Sequence, residues 1–190
     1  MTKLHELVLA SSKPFVTIPG YGGSGDDHWQ THWESALPKA SRIVPASWDK
    51  PQLPDWFNAL DEVVKAQTAP PVLVAHSLGC LLVMNYLHTS KTNIAGVFMV
   101  CVPDPAGAQF PRSDAADFLA LNKGELRCPS LIVSSDNDPY ACNQFSTDIA
   151  TSWGSGLIRV GEKEHISDVA TWEQGFLLLQ AFCAGLKHTS

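Results

Sequence analysis

The stretch whose reading decides the fold is PPVLVAHSLGCLLVMNYL, Pro70–Leu87. It opens on an apolar run, Val72 to Ala75, and closes on apolar residues at helical spacing, Leu78, Leu81, Leu82 and Tyr86. Between them stand His76 and Ser77, the strongly polar residues in the middle. A short unbroken apolar run bounded by proline fits a strand covered on both faces, and the 3–4 spacing after it fits a helix. A serine is therefore expected where a buried strand turns into a buried helix.

The local pattern Ala75-His76-Ser77-Leu78-Gly79 is a variant of G-x-S-x-G with alanine at the first glycine. In that motif a tight, strained turn exposes the serine hydroxyl, and small residues are wanted on either side. Ser77 would head the following helix, so the amide of Leu78 would point at an oxyanion formed at the serine. A serine at this place also reads as a plain helix N-cap. A hydroxyl is a weak nucleophile without a base, so the two readings part on whether partner groups exist.

Outward from this stretch, further short apolar runs read as strands: Phe15–Ile18, Arg42–Pro45, Gly96–Val102, Ser130–Ser134 and Leu157–Val160. Helices are expected between them, over 26–37, 55–66 with Asp55 as N-cap, 78–88, 114–121, 143–153 and 171–186. Alternating strands and helices argue for an α/β fold with a mostly parallel sheet. Ligands bind beyond the carboxyl ends of such strands. Ser77 falls there. So do Asp136 and Asp138, after SLIVSS, and His165, in GEKEHIS after GLIRV. The chain order serine, acid, histidine is that of an α/β hydrolase. The roles would be attack by Ser77, proton uptake by His165, and orientation of the imidazole by an aspartate. His76, His88 and His188 are expected in or near helices, where a lone histidine is usually structural.

Composition narrows the class. The chain has 190 residues, 45% of them hydrophobic, which suits one α/β domain over 1–190. A net charge of −6 argues against nucleic acid as the main partner. Five cysteines, odd in number and without a CxxC pair, read as reduced thiols of a cytoplasmic protein. The opening MTKLHELVLASSKPF interrupts its short apolar stretch with Glu and His, unlike a secretory signal. No segment approaches the roughly 18 apolar residues of a membrane span. No membrane association is expected.

Taken together, IPGYGGSGDDHWQTHWE, SWDKPQLPDW, VAHSLGC, SSDNDPY and the His165 loop resemble a small serine hydrolase family. It includes the retinoblastoma-binding-protein hydrolases and bacterial YdeN-like proteins. The likeness spans nearly the whole chain. It implies a compact α/β-hydrolase fold of about six parallel strands in the order 2-1-3-4-5-6, with helices on both faces and no large cap domain. It favours Asp138 over Asp136, because Asp138-Pro139-Tyr140 has the D-P form of other α/β hydrolases. It assigns the second oxyanion donor to Tyr21, in the loop PGYGGSGDDHW, with Gly22 as the alternative. Glu164 departs from the pattern, since relatives tend to have glycine before the histidine. An inward-pointing Glu164, with Asp168 not far on, would place a carboxylate beside the base.

The implied activity is hydrolysis of a small carboxylic ester, thioester or amide through an acyl-enzyme, with no cofactor. A protein-binding module on the same fold, with an unknown protein partner, and an acyltransferase are the alternatives. Gly22, Trp29 and Trp48 could line the substrate pocket, whereas Trp33, Trp56 and Trp172 are expected in the core. His28 and His32 share a helix face, but HWQTH lacks the glutamate of H-E-x-x-H and a third ligand, so no metal is expected. Cys80 should point into helix packing.

Overall fold

The computed structural model describes residues 13–37, 39–167 and 169–186; Asp168 and His188 lie outside them. The elements run in chain order as β1 (Phe15–Ile18), α1 (Trp29–Ala36), β2 (Ala40–Arg42), α2 (Leu53–Lys65), β3 (Val72–His76), α3 (Leu78–Thr89), β4 (Gly96–Val100), β5 (Ser130–Ser134), α4 (Asn143–Trp153), β6 (Gly156–Arg159) and α5 (Glu173–Gly185). The six strands form one sheet in the order β2-β1-β3-β4-β5-β6, with every pairing parallel. The connection from β4 to β5 carries a single 3-10 turn, Ala116–Phe118, and no cap domain is inserted among the described residues.

Alternate residues of the central strands serve different cores. Leu73 and Ala75, Val97 and Met99, and Ile132 pack with Trp56, Leu60, Leu81 and Trp153, from α2, α3 and α4. Val72 and Val74, Phe98 and Val100, and Val133 pack with Trp29, Trp33, Phe176 and Leu179, from α1 and α5. Strands covered on both faces have no polar side, hence their continuous apolar runs. Helix α3 is buried from Leu78 to Met84 without a break, so it shows no polar stripe in its first two turns.

The edges and termini differ from the sequence expectation. Strand β2 is the polar triplet Ala40–Arg42 and not Arg42–Pro45. It pairs through its backbone at the sheet edge, and Val44 beyond it is 79% exposed. Strand β4 stops at Val100, because Cys101 turns into a positive φ of 54°. The segment 114–121 makes one 3-10 turn instead of a helix, burying Phe118 and leaving Leu119 out. Helix α2 begins earlier than Asp55. Gln52 is its N-cap, Pro54 lies in its first turn, and Asp55 accepts the Ala46 N–H at 2.9 Å. Helix α1 begins at Trp29, because His28 caps it by accepting the Gln30 N–H through Nδ1.

Candidate active site

Strand β3 passes into α3 through one residue. Ser77 has φ 52° and ψ −126°, a conformation that non-glycine residues adopt only when surroundings impose it. Two bonds impose it: the Ser77 N–H donates to Val100 O at 3.0 Å, and Ser77 O accepts the Cys80 N–H at 2.8 Å. Gly79 lets the turn press onto the end of β1, since a Cβ there would lie 2.5 Å from Ile18 O and Pro19 O. The Leu78 N–H opens α3 and has no acceptor within the helix.

Two loops from distant parts of the chain converge on this turn. His165 Nε2 lies 2.7 Å from Ser77 Oγ, and His165 Nδ1 lies 2.9 Å from Asp138 Oδ1. A carboxylate only accepts, so Nδ1 carries the ring proton and Nε2 is left to accept from the serine hydroxyl. The Asp138 side chain is 3% exposed, and its Oδ1 also accepts the Tyr140 N–H at 2.9 Å. Asp136 faces elsewhere and pairs with Arg159 at 2.7 Å. The Cys101 thiol lies within 4.8 Å of an Asp138 carboxylate oxygen, and burial, then that carboxylate, pushes the thiol pKa well above its ordinary value.

The glycine loop after β1 lies against the serine. A Cβ on Gly20 would sit 2.7 Å from Ser77 Cβ. The Gly22 N–H is taken by Trp48 O at 3.1 Å, which leaves Tyr21 as the next amide in the loop. Three side chains hold the loop from behind. Gln30, fully buried, accepts from Ser24 Oγ at 2.7 Å and donates to Val74 O at 3.0 Å. Arg42 donates to Ser24 O at 2.7 Å. The Trp48 ring lies beneath Gly23, where a Cβ would meet it at 3.1 Å.

Ser77 opens into a cleft of about 710 Å³, whose walls include Tyr21, Gly22, Asp27, Phe110, Tyr140 and Ser167. Trp29 and Trp48 are not on those walls. Trp29 is fully buried and donates its Nε1–H to Ile166 O at 2.9 Å, so it carries the His165 loop. Trp48 packs edge-on against Trp56 and anchors the glycine loop. Glu164 is exposed and has φ 50°, a conformation suited to glycine. Cys80 is buried with its thiol on Val100 O, and burial raises its pKa. It is inert packing beside the turn.

Sequence reasoning missed the groups that hold these loops, His76, Gln30 and the Ser135–Asn137 pair, and the Cys101 thiol beside Asp138. His76 and Cys101 share a signal, for both stand at the carboxyl end of a central strand, on the edge that carries Ser77.

The comparisons with known proteins agree with the fold. A YdeN-like hydrolase from Pectobacterium atrosepticum is 29% identical, with 97% of this chain and 99% of that one covered at a TM-score of 0.86. The ydeN gene product of B. subtilis is 20% identical over 91% of this chain and all of that one, with a TM-score of 0.75. Est1E from Butyrivibrio proteoclasticus, in its complex with ferulic acid, shares the fold at 14% identity and a TM-score of 0.73, covering 93% and 90% of the two chains. No curated protein matches. The family model described as serine hydrolase matches residues 15–181, and the chain belongs to that family.

Proposed function

We propose that the protein hydrolyses a small carboxylic ester, thioester or amide through an acyl-enzyme on Ser77. The observation that carries this reading is the unbroken chain Asp138–His165–Ser77, at 2.9 and 2.7 Å, beside a cleft. In the first half-reaction Ser77 Oγ bonds to the substrate carbonyl carbon while its proton passes to His165 Nε2. The tetrahedral oxyanion is met by the amides of Leu78 and Tyr21. It collapses by breaking the bond to the leaving group, which departs with the proton from Nε2. Water then repeats the sequence at the acyl carbon and frees Ser77. Asp138 keeps the ring in the Nδ1–H tautomer and balances the imidazolium that forms in each half.

The test is hydrolysis of a short-chain p-nitrophenyl ester by wild type and alanine variants, with fluorophosphonate labelling alongside. Ser77→Ala, His165→Ala and Asp138→Ala are expected to lose roughly 10⁴-fold or more in kcat. Asp136→Ala removes a half-exposed ion pair remote from the imidazole and should stay active. Labelling that survives Ser77→Ala, or an Asp138→Ala variant as active as wild type, refutes the assignment.

A further inference from the structure

We propose that His76 is a positioning residue for the base: its Nε2–H, donated to the backbone carbonyl of His165, ties the loop that carries the imidazole to the turn that carries the nucleophile. The inference rests on the reading of the site given under Proposed function. The contact is 2.9 Å long, and the His76 ring lies 5.0 Å from the His165 ring. A carbonyl only accepts, so Nε2 holds the proton. The ring is 5% exposed, and burial, then the neighbouring His165 and His28, hold its pKa well below the ordinary histidine value. It therefore stays neutral and keeps a single N–H, on the nitrogen that faces His165 O.

The loop needs such a fastening. Both neighbours of His165 have left-handed backbones, Glu164 at φ 50° and Ile166 at φ 52°, and neither is glycine. Residues persist there only where surrounding bonds over-determine them. Lys163 and Glu164 donate their N–H groups to Ser135 Oγ and Asn137 Oδ1, at 2.9 and 2.7 Å, which ties the near end to the segment after β5. Trp29 holds the far end through Ile166 O. The His76 bond acts at His165 itself and springs from the residue next to Ser77. One covalent step and one hydrogen bond thus link the backbones of the two reacting residues, and the 2.7 Å gap from Oγ to Nε2 closes that ring.

Three variants test this. His76→Gln keeps an amide N–H where the imidazole Nε2–H stood, His76→Asn is one carbon too short to reach, and His76→Met fills the space without a donor. With the p-nitrophenyl ester, His76→Gln should keep kcat within about threefold of wild type. His76→Met and His76→Asn should lose about 10- to 100-fold in kcat, with KM changed less than twofold, since a misplacement near 1 Å costs about 10²-fold. Fluorophosphonate labelling of Ser77 should slow in parallel. In a His165→Ala background, His76→Met should bring no further loss, because the loop then has no base to position. Full kcat in His76→Met, equal loss in all three variants, or additive loss in the His165→Ala background overturns the proposal. Should His76→Met not fold, His76→Asn against His76→Gln makes the same comparison. If His165→Ala itself remains active, the reading of the site has failed, and that result is distinct from a failure of the clamp alone.

Discussion

Replacing Gly20 by alanine is expected to damage catalysis while sparing the fold. The added Cβ would lie 2.7 Å from Ser77 Cβ and 3.2 Å from Ser77 Oγ. Carbon atoms in contact prefer about 3.5–4.0 Å, so the two residues must separate by roughly 0.8 Å or more. Neither is free to yield. Ser77 is held by its N–H on Val100 O, and Gly20 O accepts the Gly23 N–H at 3.0 Å. The displacement falls on the Oγ–Nε2 contact of 2.7 Å and on the Tyr21 amide. Errors of this size in a reacting geometry cost up to about 10²-fold. A fall of about 30- to 100-fold in kcat/KM is expected, or about 2–2.7 kcal/mol at 1.36 kcal/mol per decade. The backbone at Gly20 does not have a positive φ, so alanine adds no strain there, and its lower unfolded-state entropy offsets part of the crowding. Gly25→Ala is the control, because a Cβ there meets nothing within 4 Å. The assay is kcat/KM on a p-nitrophenyl ester, with thermal melts on the same samples. Gly20→Ala within threefold of wild type, or Gly25→Ala equally impaired, would refute the reasoning.

Three other outcomes are expected. The His76 pKa is held well below 6.5, so as pH falls through that value the unfolded chain takes up a proton that the folded chain does not. Stability therefore falls with pH, by up to about 1.4 kcal/mol per unit, and His76→Gln should flatten the slope of urea midpoints between pH 7 and 5; an unchanged slope contradicts this. Gln30→Leu removes buried hydrogen bonds to Ser24, Ile18 and Val74 and should cost roughly 2–4 kcal/mol in denaturant unfolding, whereas a cost under about 1 kcal/mol would show that the network is dispensable. Cys142 is exposed, Cys128 is half-buried with its pKa pushed up to about 11 by burial, and Cys80, Cys101 and Cys183 are buried, so one thiol per native chain should react quickly with a disulfide reagent. That fast phase should vanish in Cys142→Ser.

The central strands and the serine turn were legible because burial on both faces leaves no polar residue in Val72–Ala75 or Gly96–Val100, and the change to helical spacing marks the turn. Strand β2 was not legible. Its pairing uses only backbone groups, and its side chains Ala40, Ser41 and Arg42 are half-buried, so neither alternation nor an apolar run marks it. The helix expected over 114–121 rested on a few apolar residues, and the structure fully buries only Ala115 and Phe118 of them. Ser77, Asp138 and His165 could be found by chain order and by their places after strands. What a pattern could not carry is which groups hold them. The Gly22 N–H is spent on a carbonyl 26 residues away, at Trp48, and His76 differs from any packed histidine only by the direction of one N–H. Likewise, Trp29 and Trp48 are near the site in sequence yet face its supports and not its cleft.

The strained turn at Ser77, Asp138 after β5 and His165 after β6 follow three different strands of one sheet. Ser77 and His165 stand 88 residues apart in the chain, and any contiguous fragment that contains both must carry β4, β5 and β6. The assembled site is thus a late product of folding, since its contacts are among the least local in the molecule. Under the proposed function, ester turnover during refolding would then report the docking of the segments after β3, β5 and β6, a later event than the appearance of helical signal, and a single break between β4 and β5 would put Ser77 and His165 on separate fragments without touching either one.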